Sequence, residues 1–117
     1  MDRAKGGSEA VTSHNAVSLA GRVSTGAEVK ELPSGTTIVT FRLAMPRQAD
    51  SRATAGSGSD WVDCVAWSSR ARRTVAGWVQ GDVVAVEGRL RRRFFRSPET
   101  PVRTRLEVEV LSGRKVR

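Results

Sequence analysis

The sequence has few of the residues that build reactive or cross-linked proteins. Its 117 positions include one cysteine, one histidine and no tyrosine, and aromatic residues make up 5%. The single Cys64 excludes an intrachain disulfide framework and suits a reducing cytosol. Cys64 and His14 together cannot supply the four ligands of a zinc site, and Cys64 lies among apolar strand residues. We therefore expect no enzyme, no metal and no cofactor.

Long hydrophobic segments are also missing. No apolar run approaches the roughly 18 residues that are needed to cross a bilayer. Residues 1–14 are polar and small and have no apolar segment of the kind found in a secretory signal. We expect residues 1–14 to be a disordered leader of a cytoplasmic, single-domain protein.

Basic residues are abundant, and most of them are arginine. The 20 Lys and Arg residues outnumber the 12 Asp and Glu residues, which gives a formal net charge of +8, and 17 of the 20 are Arg. A pI near 11.4 is typical of a nucleic-acid-binding domain, and arginine both pairs with phosphate and stacks on flat rings. Charge alone leaves open a basic surface that only keeps the protein soluble.

Alternating apolar and polar residues predict five strands and one helix. The first strand begins near residue 15, with Gly21 as a bulge or bend, and the helix begins at Ser68 or Ser69 and includes Trp78 as a core residue. The remaining strands are predicted at residues 36–45, 60–67, 83–95 and 102–111. Three strands, a helix and two strands predict an all-β, five-stranded OB-fold barrel with the helix between strands three and four. We assign residues 15–113 to this domain and residues 114–117 to a basic C-terminal remnant.

The fourth predicted strand carries the strongest functional signal. One parity, ending at Leu90, suits a barrel interior. The other parity is predicted to face outward and holds Arg89, Arg91, Arg93 and Phe95. Residues 89–105 contain seven arginines and one glutamate, a net +6. Single-strand binders combine cations that follow the phosphates with aromatic rings that stack on bases, so we expect phosphate contacts from these arginines and stacking on Phe95.

The third predicted strand adds two aromatic side chains. Trp61 and Trp67 share one parity, opposite to the small apolar residues that include Cys64. We expect both indoles to face outward and stack on bases; the alternative is that one of them caps the core or is covered by another subunit. Arg42 lies on the same outer face of strand two and is a further candidate phosphate contact.

Several residues are secondary candidates for contact with nucleic acid. Phe94 neighbours Phe95 at a strand end, where parity can be lost, so either ring can be the outer one. Residues 47–59 form a long predicted loop without periodicity, which is typical of functional or disordered segments. The further candidate contacts in this loop and around the last predicted turn are Arg47, Arg52, Arg96, Arg103 and Arg105.

With these residues identified, the sequence resembles the bacterial single-stranded DNA-binding proteins over residues 15–113. The matching segments are Asn15-Ala-Val-Ser-Leu-Ala-Gly-Arg22, Glu31-Leu-Pro-Ser-Gly35, Phe41-Arg-Leu-Ala44, Asp60-Trp-Val-Asp-Cys-Val-Ala-Trp67 and Gly81-Asp-Val-Val-Ala-Val-Glu-Gly-Arg-Leu-Arg-Arg92. The resemblance implies that Trp61, Trp67 and Phe95 match base-stacking positions, whereas the family's stacking ring in the loop after strand two has no match. It also implies a nucleoid-associated homotetramer, assembled partly through the first strand, that protects single-stranded DNA in replication, recombination and repair.

The resemblance does not extend to the family's acidic C-terminal tip, which recruits other proteins. The last residues given are Ser112-Gly-Arg-Lys-Val-Arg117, so recruitment through a tip is not expected of this sequence, whether the tip has been removed or is naturally absent. Two alternatives stay open: a dimeric, tipless primosome accessory protein with an OB fold, and an RNA-binding OB module. The outward tryptophans and the segment Val86-Glu-Gly-Arg-Leu90 favour the single-stranded DNA-binding proteins.

Overall fold

A computed structural model describes residues 12–47, 58–97 and 100–117, with the backbone alone at 95–97, 100 and 101. Most of the predicted leader, residues 1–11, lies outside this description. The chain forms β1 (Val17–Glu31), β2 (Thr37–Pro46), β3 (Ser59–Ala66), α1 (Ser69–Val75), β4 (Val83–Ser97) and β5 (Thr100–Lys115). The strands close into a barrel in the order β1-β2-β3-β5-β4. This confirms the predicted all-β OB-fold barrel with one helix between β3 and β4.

The first strand pairs with two neighbouring strands. Residues Val17 to Arg22 pair with β4, and residues Arg22 to Glu31 pair with β2. A side chain at Gly21 would collide with the carbonyl of Ala44 on β2, so glycine permits the close approach at this change of partner. The bulge predicted at Gly21 is displaced along the strand, because the register shifts lie between Val23 and Glu28.

Inward-facing side chains of all five strands form one buried core cluster, and Trp78 is part of it. The ring of Trp78 is 6% exposed and meets Phe41 edge to face, with 5.2 Å between the centroids. The helix that precedes it is capped by Ser68, whose hydroxyl accepts a hydrogen bond from the backbone N–H of Ala71 at 3.0 Å. The helix ends at Val75, and Trp78 lies beyond it, which corrects the predicted helical placement but confirms the predicted burial.

Strands β4 and β5 continue past the barrel as a two-stranded ribbon. Beyond Gly88, the described residues of β4 pair with β5. On this ribbon Phe94 and Leu106 are 66% and 49% exposed, and Leu90 is 44% exposed although its parity predicts an interior position. At its C-terminal end, β5 extends to Lys115. The backbone N–H of Val83 then donates a hydrogen bond to the carbonyl of Arg117. These contacts join residues 114–117 to the barrel. Within the described ranges, no helix is long and apolar enough to span a membrane.

Replacement of Trp78 tests the core. We expect Trp78→Ala to lower the free energy of unfolding by about 3–5 kcal/mol, because it removes a buried ring and leaves a cavity. The neighbouring Val79 is 59% exposed, so Val79→Ala should change it by less than about 0.5 kcal/mol. Urea unfolding of the two variants makes the comparison, and equal losses would contradict the packing described here.

The buried thiol gives a second test of the core. Burial, with smaller contributions from the carboxylates of Asp63 and Glu107, raises the pKa of Cys64 to about 12. At about pH 8.5, where an unfolded thiol is half ionised, native Cys64 stays protonated and should react with iodoacetamide only after unfolding. Stability should fall above that pH, because the unfolded thiol loses its proton and the native one keeps it; Cys64→Ala should lack this component.

Candidate nucleic-acid interface

The two tryptophans of the third strand occupy different environments on the outer face of the barrel. Trp61 is 58% exposed. Trp67, which follows the end of β3, is partly buried, and its indole Nε1 is shielded from solvent without a hydrogen-bond partner among the described residues. Val65 lies between them on the same parity but is fully buried. The predicted outward row is therefore two separate rings rather than one continuous exposed stripe.

A guanidinium group stacks on each of these rings. The Cζ atom of Arg42 lies 4.0 Å from the ring centroid of Trp61, and that of Arg91 lies 4.6 Å from the ring of Trp67. Both distances are within the range of a cation–π contact. Arg42 reaches Trp61 because the β2–β3 register places it opposite Asp63, two residues along β3 from the indole.

Carboxylates hold the same arginines from the side. Arg42 Nε donates to Asp63 Oδ1 at 3.1 Å. Glu109 Oε1 accepts from both Arg89 Nε at 3.0 Å and Arg91 Nη1 at 3.2 Å. Each stacked guanidinium is thus already bonded to an acceptor of the protein itself.

Arg93 is the most completely paired of the predicted phosphate contacts. Its Nε and Nη2 atoms donate to the two carboxylate oxygens of Glu107, both at 2.9 Å, and Glu107 is 1% exposed. The hydrogen bond to Glu107 raises the pKa of Arg93 above its ordinary value, in spite of an opposing effect of burial. Arg93 thus forms an ion pair within the protein, because Glu107 lies diagonally across the β4–β5 ladder from it. Its contact with phosphate stays a prediction.

Two grooves flank the Arg93–Glu107 pair. The first, of about 280 Å³, lies across the outer faces of β1, β2, β3 and β5, and its lining includes Glu28, Arg42, Asp63, Arg105 and Glu107. The second, of about 580 Å³, lies between the turn that joins β1 to β2 and the ribbon strand β4. Its lining consists of Leu32, Pro33, Ser34, Trp67, Arg91, Arg92, Arg93 and Phe94. Arg93 lines one groove and Glu107 the other, so their ion pair stands between the two.

The secondary candidates are distributed unevenly around these grooves. Phe94 is 66% exposed and faces the second groove, so the interior parity at this strand end is lost. Arg105 lines the first groove, Arg103 is exposed on the ribbon, and Arg47 pairs with Asp60 at 3.1 Å next to the end of β2. Arg52 and the side chains of Phe95 and Arg96 lie outside the described residues.

The sequence reasoning missed the acidic partners and one groove wall. Asp63, Glu107 and Glu109 share the outward parity with the residues that they hold, and this signal is readable from alternation along β3 and β5. The count of +6 stopped at residue 105; extension to residue 109 includes two more carboxylates and lowers the net charge to +4. The wall at Leu32–Ser34 follows only from the closed barrel.

Aromatic rings with adjacent guanidinium groups on the outer face of an OB barrel are typical of proteins that bind single-stranded nucleic acids. The comparisons with known proteins agree with this class. The model of the single-strand binding protein family matches residues 14–114. The chain belongs to that family.

Curated relatives include single-stranded DNA-binding protein A of Bacillus subtilis, with 28% identity over 73% of this chain and 49% of that protein. Single-stranded DNA-binding protein 1 of Streptococcus agalactiae is 30% identical over 73% of this chain and 52% of its own length. The relative in Mycolicibacterium smegmatis is 29% identical over 80% of this chain and 59% of its own length. The chain thus spans about half the length of the first two relatives.

The fold also matches a solved structure. The Plasmodium falciparum SSB complex with ssDNA superposes with a TM-score of 0.71 over 91% of this chain and 97% of that chain, at 23% sequence identity. This likeness concerns the fold.

The ion pair between Arg93 and Glu107 can be tested by measuring the free energy of unfolding of arginine variants. We expect Arg93→Ala to lower the free energy of unfolding by about 3 kcal/mol, because it removes the bidentate partner of a buried carboxylate. The matched control is Arg103→Ala, an exposed arginine of the same ribbon, which should change stability by less than about 0.5 kcal/mol. Urea unfolding distinguishes the two variants. An Arg93→Ala protein as stable as the wild type would contradict the structural role of the ion pair.

Proposed function

We propose that this protein binds single-stranded DNA without sequence preference and protects it. The observation that carries the proposal is the second groove, where the rings of Trp67 and Phe94 lie among three arginines in a space of about 580 Å³. Stacking on a ring tolerates any base and contributes about 1–3 kcal/mol per base. The exposed ring of Trp61 offers a further stacking surface near the first groove, and Phe95 stays a candidate from the sequence.

The electrostatic part of the interaction is smaller than the formal charge indicates. Arg42, Arg89 and Arg91 already share Asp63 and Glu109 with the protein, although each stays more than two-fifths exposed and can contact a phosphate as well. Exposed Arg92 and Arg103 lie on the ribbon beside them. A strand in the grooves would therefore meet cations that are partly neutralised, and stacking would supply a large share of the affinity.

The wider role follows from family membership and is part of the proposal. We infer a non-enzymatic DNA-coating protein that acts in replication, recombination and repair, associated with the nucleoid in the cytoplasm. A homotetramer is the assembly that the resemblance implies, with a dimer as the alternative. Native mass measurement with and without oligo-dT distinguishes the two and gives the number of chains per strand.

Binding to oligo-dT, followed by tryptophan fluorescence, tests the function. We expect quenching on binding, because bases stack on Trp61 and Trp67, and a log–log salt slope of about −0.7 for each phosphate contact. Trp61→Ala should weaken binding by about 1–3 kcal/mol, with little effect on unfolding because the ring is exposed.

Mixed-sequence DNA and oligo-U are the comparison ligands. Equal affinity for oligo-dT and mixed-sequence DNA supports binding without sequence preference, and tighter binding of oligo-U would favour an RNA-binding module. An affinity that does not change with salt, or binding without quenching, would contradict the proposed interface.

A further inference from the structure

The two tryptophans of the interface share one arrangement that binding alone does not require. At each ring, a guanidinium covers one face, and a carboxylate bonds the guanidinium: Asp63 with Arg42 at Trp61, and Glu109 with Arg91 at Trp67. In the first set the ring and the carboxylate lie on β3 and the arginine on β2; in the second the ring follows β3, the arginine lies on β4 and the carboxylate on β5. The repeated arrangement indicates a common task.

Exposure shows which member of each set is anchored. The side chain of Asp63 is 22% exposed against 42% for Arg42, and that of Glu109 is 9% exposed against 44% for Arg91. The carboxylates are therefore the more buried partners, and each binds an arginine whose guanidinium lies over a ring. Without an acceptor, an arginine side chain samples many rotamers, and this freedom would be lost each time a base stacked nearby.

The covered face also leaves a defined free face. Trp61 carries Arg42 at 4.0 Å on one side of its ring and is still 58% exposed, so the opposite side of the indole is open to solvent. A guanidinium that is fixed on one face restricts the side-chain rotation of the indole. A base can then stack on the other face without first ordering the indole, and such preorganisation lowers the cost of binding.

We propose that Asp63 and Glu109 are positioning residues for base stacking. Asp63 holds Arg42 against one face of Trp61, so that the opposite, exposed face is presented to a base. Glu109 in the same way holds Arg91 against Trp67, so that the part of this ring that lines the second groove keeps one orientation. They act through the arginines and need not touch the DNA. This inference rests on the proposed function, since it presumes that bases stack on these rings.

A carboxylate beside DNA also repels phosphate, and the test must separate this effect from positioning. Substitution of Asp63 removes its repulsion of phosphate and its hold on Arg42 at the same time. Glu28 provides the matched control, because it lines the same groove as Asp63 and Arg42 but pairs with Lys30, at 3.8 Å. Glu28→Gln and Asp63→Asn each remove one negative charge from this groove. Only the second replaces the charged acceptor of a guanidinium that covers a tryptophan with a weaker, neutral one.

The experiment compares the affinity of each protein for oligo-dT with its affinity for an abasic phosphodiester of the same length, at one salt concentration. The ratio of the two affinities reports stacking, because both ligands carry the same phosphates. We expect Asp63→Asn to lower this ratio about fivefold, part of what one stacked base contributes. Glu28→Gln should raise both affinities together and leave the ratio unchanged. Glu109→Gln should act as Asp63→Asn does, and Asp63→Asn alone suffices if the more buried Glu109 is needed for folding.

The outcomes separate this inference from the function on which it rests. A wild-type protein that prefers oligo-dT to the abasic strand upholds stacking, and an unchanged ratio in Asp63→Asn then overturns the positioning role. A wild-type protein without that preference contradicts the stacking interface itself. Equal falls in the ratio for Asp63→Asn and Glu28→Gln would assign the effect to charge and also overturn the inference.

Discussion

The interface depends on the pairing of buried β5 carboxylates with β4 arginines. Glu107 and Glu109 are 1% and 7% exposed, and they alternate with Val108 and Val110 of the core. A carboxylate in such a position is costly unless cations and hydrogen bonds compensate its charge. The arginines of β4 supply that compensation. Arg89 lies directly opposite Glu109, and Arg91 and Arg93 reach Glu109 and Glu107 from diagonal positions of the ladder. A shift of β4 by one residue would therefore turn the cations to the other face.

This pairing explains how a ribbon outside the barrel can carry a groove wall. An isolated two-stranded hairpin is marginally stable in water, and beyond Gly88 the described pairs of β4 are with β5. The bidentate contact between Arg93 and Glu107 fixes the ribbon near the point where it leaves the barrel. Phe94, the next residue, is thereby held beside the second groove, opposite the Leu32–Ser34 turn.

Alternation predicted the barrel because most strands have one face in a common core. It failed where that condition ends: Leu90 keeps the interior parity but is 44% exposed on the ribbon. The predicted helix was too long because Trp78 fits helical spacing, whereas Gly77 before it is a weak helix former and the chain turns after Val75. Val65 is buried on the outer parity and pairs with Glu109 of β5; this pairing depends on the register between distant strands, which the pattern of one strand does not contain.

The site was predictable in its residue types but not in its charge balance. Arginines and aromatic rings appear as rows along single strands, and their outer parity can be read from each strand alone. Their ion pairs join residues that are 14 to 21 positions apart, so they become visible only when the register between strands is known. A count of charge along the chain therefore overstates the charge that is available to a ligand. In this protein, acidic residues bind the two arginines that cover aromatic rings, Arg42 and Arg91, and leave less unpaired positive charge on this face than the sequence count gives.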